Sequence, residues 1–253
     1  MITIFRRLRQ KFIESGSITK YLLYAIGEIL LVVIGILIAL QVNNWNEERL
    51  DRGKELRLLG QLQNDLQVSS ESISDLYGRL EISSSSADSL LQSFRSGQEN
   101  KGFVFQASLI HRRFFFNPSY SGYAQLGTSS GNVIRNDELR NKIVEIYEGG
   151  FEEIIKRQQL LSEHMNLNLF PLSRSRFDLN RQISFTMSDF DANSMDFYDP
   201  LDFTSLAEDT EYANTIVVQK RLYTIQLNQL IKTRDQINDA LTLLKNEIEL
   251  FTN

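Results

Sequence analysis

One carboxylate stands where a carboxylate is expensive. Glu28 is the only charged residue in the 22-residue stretch from Tyr21 to Val42, YLLYAIGEILLVVIGILIALQV. An acid inside hydrocarbon is neutral or finds partners, and such residues default to a functional reading. Two roles fit Glu28. It can be a protonatable group inside an assembly of membrane helices. It can equally be a carboxylate near the cytoplasmic interface, solvated there or paired with a basic group on another helix. The second reading is favoured, because the stretch holds one such group and no relay partner. Gly27, Leu31, Gly35 and Ala39 recur in steps of four. Small residues so spaced let helices approach closely. Glycine is also simply common in membrane helices. Beside Glu28, the Gly27/Gly35/Ala39 face points to self-association.

Other candidate chemistry is thinner. Ser188 to Tyr212 holds eight acids and no Lys or Arg. Within it, Asp189, Asp191 and Asn193 match the opening of a calcium loop. The match fails at Ser194, where glycine is needed, and at Pro200, where the bidentate glutamate belongs. A solvated acidic loop is the expectation. Its interleaved aromatics make Asp189, Asp191, Asp196, Phe197 and Tyr198 a candidate partner-docking loop. His111 and His164, the two histidines, lack ligand-like neighbours in sequence and read as bundle residues instead of zinc ligands. No phosphate loop, nucleophile elbow or GxGxxG is present. The expectation is no enzyme, with no catalytic residue, metal or cofactor.

The elements that position these residues begin with the apolar stretch. About 20 apolar residues at 1.5 Å each cross a ~30 Å hydrocarbon core. A cleaved signal peptide would have a shorter apolar region ending in a small-x-small site. Here the run leads into Gln41-Val42-Asn43-Asn44-Trp45, so residues 21–42 are expected to remain as a transmembrane helix. Tyr21 and Tyr24 at one end and Trp45 at the other suit the two interfacial belts. Residues 1–20 carry five basic side chains and one acid. Basic tails stay in the cytoplasm. The expected order is a cytoplasmic tail 1–20, the membrane helix 21–42 and an extracytoplasmic domain 43–253. Within the tail, Ile4, Phe5, Leu8 and Phe12 sit at helical spacing among arginines. An amphipathic helix on an anionic leaflet and an unstructured topogenic tail both fit.

Composition narrows the partners. The chain has 253 residues, a net charge of -5 and mean hydropathy -0.24. Residues 43–253 hold 22 basic and 30 acidic side chains, a net -8, which excludes the basic surface nucleic acid requires. There is no cysteine, so disulfides and thiol chemistry are excluded. Three prolines in the whole chain suit long helices.

Lys20 to Arg49, KYLLYAIGEILLVVIGILIALQVNNWNEER, resembles the signature of a family of uncharacterised bacterial single-pass membrane proteins, YAIGEI…GILIALQ-NNWNE. Tyr123 to Tyr147 resembles a later element of that family, with a Ser-Ser-Gly-Asn turn before a helix that starts near Asn-Asp-Glu-Leu-Arg. The resemblance implies a Gram-negative source and an inner-membrane anchor. It implies no activity and carries over no functional residue.

The domain reads as all-α. Leu59, Leu62, Leu66, Ser69, Ile73, Leu76, Leu80, Ser83, Ala87, Leu90 and Phe94 alternate in steps of three and four, the heptad of a coiled coil or bundle. Gly78 and Ser83–Ser86 are weak spots where this helix is expected to bend or break. Tyr223, Leu227, Leu230, Arg234, Ile237, Leu241, Leu244, Ile248 and Phe251 repeat the pattern. Two long heptad helices most simply pair antiparallel. Between them, helices are expected at 105–116, 120–126 and 136–169, the last capped by Asn136 and kinked at Gly149-Gly150, with an irregular acidic loop over 171–211. The functional expectation is a membrane-anchored helical protein that acts through contacts with membrane or periplasmic proteins, or with copies of itself, as scaffold, assembly factor or sensor. The alternative is a subunit of a proton-coupled motor or transport complex that uses Glu28. The topology has a direct test. A periplasm-only reporter fused after Asn253 is expected to be active, and signal from a cytoplasm-only reporter at that position would reverse the orientation.

Overall fold

The computed structural model describes residues 18–128, 133–178 and 198–252. Most of the basic tail, the Ser129–Asn132 turn, Asp189, Asp191, Asp196 and Phe197 lie outside them. The chain divides into two units, Met1–Glu55 and Leu56–Asn253. The first unit contains the apolar part of helix α1 (Ile18–Ser96). That part is long and apolar enough to cross a membrane, and its apolar window is not buried against any other part of the protein. Leu31 is 75% exposed there, although burying a leucine is worth roughly 1.5–3 kcal/mol.

In the second unit α1 supplies one wall. All eleven expected seam positions from Leu59 to Phe94 are buried. The helix does not break at Gly78 or the serine run. Ser86 donates back to the Ile82 carbonyl at 2.8 Å, and the Ser83 hydroxyl is shared between the Arg79 carbonyl at 3.1 Å and that of Leu109 at 3.3 Å, which settles both without opening the helix. It ends where Gly97 takes φ +64°, the left-handed conformation that closes a helix and that glycine adopts without a Cβ clash.

Short helices α2 (Phe103–Ile110) and α3 (Ser121–Thr128) follow. A long helical run then occupies 137–176 as α4 (Asp137–Val144), π1 (Glu145–Phe151), α5 (Glu152–His164), π2 (Met165–Leu169) and α6 (Phe170–Arg176). Strands β1 (Phe177–Asp178) and β2 (Asp199–Pro200) make one antiparallel rung, Phe177 opposite Pro200. Helix α7 (Phe203–Glu208) leads into the last long helix, α8 (Thr210–Thr252).

Contacts fix the directions. Phe94 meets Tyr212 at 6.1 Å, Asp88 meets the Lys220 ammonium at 2.5 Å, and the Arg234 guanidinium lies 6.0 Å from the Tyr77 ring. Numbers fall along α1 as they rise along α8, so the two run antiparallel. The 137–176 run opposes α8 in the same way, through Asn136–Glu247, Glu145–Gln236 and the Gln226 amide on the Ile154 carbonyl. The core is therefore three long helices with α8 antiparallel to both others. The all-α class and the antiparallel bundle follow.

Several expected details differ. The buried seam of α8 is Tyr212, Ile216, Gln219, Tyr223, Gln226, Leu230, Thr233, Ile237, Ala240 and Leu244. Leu227 and Leu241 are only partly buried. Serving two neighbours widens the buried face beyond the apolar heptad, so polar residues enter it. The helix expected at 105–116 ends at Ile110. Beyond it the backbone has no regular secondary structure, and the Gln158 side chain accepts from the Phe116 N–H at 2.8 Å in place of a helical carbonyl. The helix capped by Asn136, which accepts from the Leu139 N–H at 3.1 Å, runs to Arg176 instead of Leu169. It passes Pro171 because the preceding turn widens to π2, which relieves the clash of the proline ring with the carbonyl four residues back. The irregular stretch expected over 171–211 contains α6, the β1–β2 rung and α7, and α8 already begins at Thr210.

Gly149 and Gly150 sit in π1 and have opposite tasks. A Cβ on Gly150 would come within 2.9 Å of Thr233 Cγ2 on α8, whereas one on Gly149 would meet nothing closer than Glu145 Cγ at 4.0 Å. Gly150→Ala is expected to lower stability by about 1–3 kcal/mol through overpacking. Gly149→Ala is expected to raise it by up to ~1 kcal/mol through helix propensity. Urea unfolding of both variants checks the pair, and equal effects would contradict this packing.

Candidate functional site

The densest polar constellation gathers where α2 ends inside the domain. The last carbonyls of a helix lack intrahelical donors. Here the N–H groups of His111 and Arg112 reach the Ser108 and Leu109 carbonyls at 3.3 and 3.2 Å, and side chains complete the rest. Tyr223 on α8 donates to the Ile110 carbonyl at 2.9 Å. Ser83 on α1 donates to the Leu109 carbonyl at 3.3 Å. His111 Nδ1 lies 2.5 Å from the Ala107 carbonyl, and only a protonated Nδ1 can bond it. His111 Nε2 is 2.6 Å from Ser173 Oγ, which is also 2.7 Å from the Leu169 carbonyl.

That geometry sets the tautomer. With a neutral ring, Nδ1 carries the hydrogen and the Ser173 hydroxyl donates to Nε2. With a charged ring, Nε2 donates to Ser173, which then turns to Leu169. The neutral form is favoured: burial pushes the imidazole down to about 4, against a smaller upward pull from Ala107. The Tyr198 ring stacks on it at 3.7 Å, and Phe170 and Phe177 lie within 5.9 and 6.2 Å. Arg113 covers the outer side of Phe170 at 4.9 Å.

A serine hydroxyl on a histidine nitrogen resembles half of a hydrolytic triad. Both residues are buried, however, with Ser173 1% exposed and His111 7%. No substrate carbonyl can reach Ser173 Oγ in this conformation. The arrangement caps a helix and fixes the neck formed by β1 and β2. His111 is thus the bundle residue that its sequence context indicated. His164 is half-buried on α5, with Nε2 3.2 Å from the Thr215 carbonyl, and burial lowers it too.

At the neck, Arg176 pairs with Asp209 and, at 3.3 Å, with Glu211. Burial works against the Asp209 anion, but the Arg176 hydrogen bond and the Tyr212 N–H outweigh it and hold the carboxyl below its usual range.

A second polar centre was invisible as a motif. Asp65 is fully buried on α1 and accepts from the hydroxyls of Ser119 and Ser121, both at 2.7 Å, and from the Gly122 N–H at 2.6 Å. Nearby, Tyr123 stacks on Tyr147 at 4.2 Å and donates to Glu148 at 2.7 Å. Burial and that carboxylate push the Tyr123 phenol up to about 12. Asp65 anchors the segment between α2 and α3 to α1. The apolar-seam pattern passed over it, since it lies beside Leu66 in the heptad.

Among the expected site residues, Gly27, Gly35, Ala39 and Trp45 are exposed along α1 and Glu28 is partly covered. A Cβ on Gly27 or Gly35 would meet nothing within 4 Å. Tyr198, expected in a docking loop, is instead 7% exposed, its ring held by His111 and its N–H by Ser108 Oγ at 3.3 Å. The ring stacks inside because it covers the buried imidazole.

A family model described as a family of unknown function (DUF6090) matches residues 28–208. No curated protein and no solved structure matches the chain.

The histidine gives a pH signature. Folded His111 titrates near 4 and the unfolded residue near 6.5, so below 6.5 the unfolded state takes up the proton first. Stability is complete above that value and falls as pH drops towards 4, by up to ~3 kcal/mol. His164 adds in the same direction. His111→Gln is expected to be less stable at neutral pH yet to lose most of this slope, as read by urea unfolding at pH 7, 5.5 and 4.5. A slope of undiminished size would remove His111 as its source.

Proposed function

We propose, from the premise that the chain belongs to DUF6090, a family of unknown function, that it is a membrane-anchored protein whose helical domain works through contacts with other proteins. The carrying observation is the apolar part of α1: wide exposure of leucine, isoleucine and valine along a helix of membrane-spanning length, while the second unit buries its own core. Such a surface is stable in a bilayer and aggregates in water. The basic tail supports an orientation with the domain outside the cytoplasm, and the resemblance carried by Lys20 to Arg49 supports the inner membrane of a Gram-negative cell. The partners are other membrane or periplasmic proteins, or further copies of this chain, and the role is that of scaffold, assembly factor or sensor. In support, the Ser–His pair of the domain is shut away from substrate, and its polar centres serve to cap and clamp the fold.

Glu28 favours one rival reading. An acid within an apolar span beside Gly27 and Gly35 is also what a proton-coupled motor or transporter subunit would carry. Glu28→Gln keeps size and hydrogen bonding but removes titration, and Glu28→Leu removes both. On the assembly reading Gln is tolerated, while Leu weakens the complex recovered in mild detergent. Loss of function in Glu28→Gln, within a complex that assembles normally, would transfer the case to proton coupling.

A further inference from the structure

The Tyr198 ring is a cover. It lies parallel to the His111 imidazole, 3.7 Å away and tilted by 11°, and both residues are buried by the contact. The segment that carries it, 198–201, is tied to the domain locally. The Tyr198 N–H reaches Ser108 Oγ at 3.3 Å, beyond the usual 2.7–3.2 Å of such bonds. Phe177 and Pro200 face each other in the rung behind it, to which proline brings no N–H. The Leu201 N–H donates to the Arg176 carbonyl at 3.0 Å. The chain beyond is anchored by itself. Asp202 caps α7 through the Thr204 N–H at 3.0 Å, and the Phe203 ring meets Phe103 edge-on at 5.2 Å. A hinge between Leu201 and Asp202 can lift Tyr198 and leave the helices in place.

What lies under the cover is poorly suited to a charge. Among the described residues, the groups around the imidazole are neutral: the Ala107 carbonyl, the Ser173 hydroxyl, and the rings of Tyr198, Phe170 and Phe177. Charged and titratable groups stand further out on each neighbouring element. Arg112 and Arg113 follow His111 in the chain, with Arg113 over the far side of Phe170. Arg176 of α6 pairs with Asp209 and Glu211 at the start of α8. Asp178 and Asp199 oppose each other in the rung, and Tyr212 of α8 packs on Phe177. A proton added to the ring therefore meets no carboxylate in contact and is cut off from solvent.

We propose that residues 198–201 form an acid-sensitive latch: protonation of His111 lifts the Tyr198 ring and bares the aromatic floor of Phe170 and Phe177, while the bundle stays folded. Lifting Tyr198 hydrates the imidazolium, so the open state takes up the proton first. With the ring titrating near 6.5 when open and about 4 when covered, the opening constant rises roughly 70-fold from pH 7.5 to 4.5. Asp209 is held below the usual carboxylate range and keeps its pair with Arg176 over that window, so the clamp at the start of α8 stays shut. The inference is independent of what the domain docks to. It also differs from the general loss of stability in acid, because a lifted segment exposes far less surface than an unfolded bundle.

The test is amide hydrogen exchange, read by NMR on the full chain labelled with ¹⁵N-leucine in detergent micelles. Leu201 reports the latch, and Leu230, buried in the seam of α8, reports global unfolding. After correction for the intrinsic rate, protection of Leu201 is expected to fall roughly 70-fold from pH 7.5 to 4.5. Exchange at Leu201 is expected to ignore low urea, whereas exchange at Leu230 accelerates with it, since denaturant sensitivity scales with exposed surface. His111→Gln is expected to remove the acid response of Leu201. Tyr198→Ala leaves the ring uncovered and is expected to give low, pH-independent protection at Leu201 with Leu230 still protected, which supplies the answer if His111→Gln folds poorly. The latch is overturned if Leu201 protection is the same at both pH values, if Leu201 and Leu230 respond equally to urea, or if the acid response persists in either variant.

Discussion

Carbonyl groups at the end of a helix cannot be buried without donors. In this domain α2 ends inside the structure, and much of the surrounding architecture answers that constraint. Three separate elements deliver a side chain to it: α1 with Ser83, α8 with Tyr223, and the chain just past α2 with His111. Each donor arrives only if its own helix is in register, so polar caps tie together elements that apolar contact alone would let slide. Net hydrogen-bond contributions are about 1 kcal/mol each, but leaving such a carbonyl unpaired costs ~1–3 kcal/mol. The specificity therefore comes from the penalty for the wrong arrangement. Gln219, which donates to the Tyr223 oxygen at 2.9 Å, extends the same logic along α8.

Asp65 works by the same rule at the other end of α2–α3. An isolated buried carboxylate is costly, yet with three donors at 2.6–2.7 Å it becomes an anchor for a segment with no regular structure of its own. Between the two polar centres runs an apolar core of leucine, isoleucine and aromatic residues, among them Phe151 in edge contact with both Phe116 and Tyr147. The helix over 137–176 adjusts to this core through two π turns. One admits Gly150 against Thr233 and the other accommodates Pro171.

The proposed function draws on two parts of different character. The apolar part of α1 is long and apolar enough to cross a membrane, and its one acid is the point where chemistry or assembly would show. The second unit is a water-facing bundle whose most reactive-looking pair, Ser173 and His111, is used structurally. Proximity of a hydroxyl to an imidazole is not a nucleophile without access.

Much of this was legible in the residues themselves. Long apolar runs and heptads are local patterns, because a side chain's face on a helix depends only on its number. The membrane-length helix, the α1 seam and the Asn136 cap follow from that. The polar seam of α8 did not, since Gln226 and Thr233 become interior only when a second helix covers them. Nor did the end of the helix begun at Phe103, because Ile110 is where distant Tyr223 and Ser83 take over its carbonyls. The clamp at Asp65 joins residues 54 to 57 positions apart and has no signature in either segment. Helix periodicity is a property of neighbours in the chain, whereas the pairing of buried polar groups is a property of neighbours in space, and only the folded arrangement brings those together.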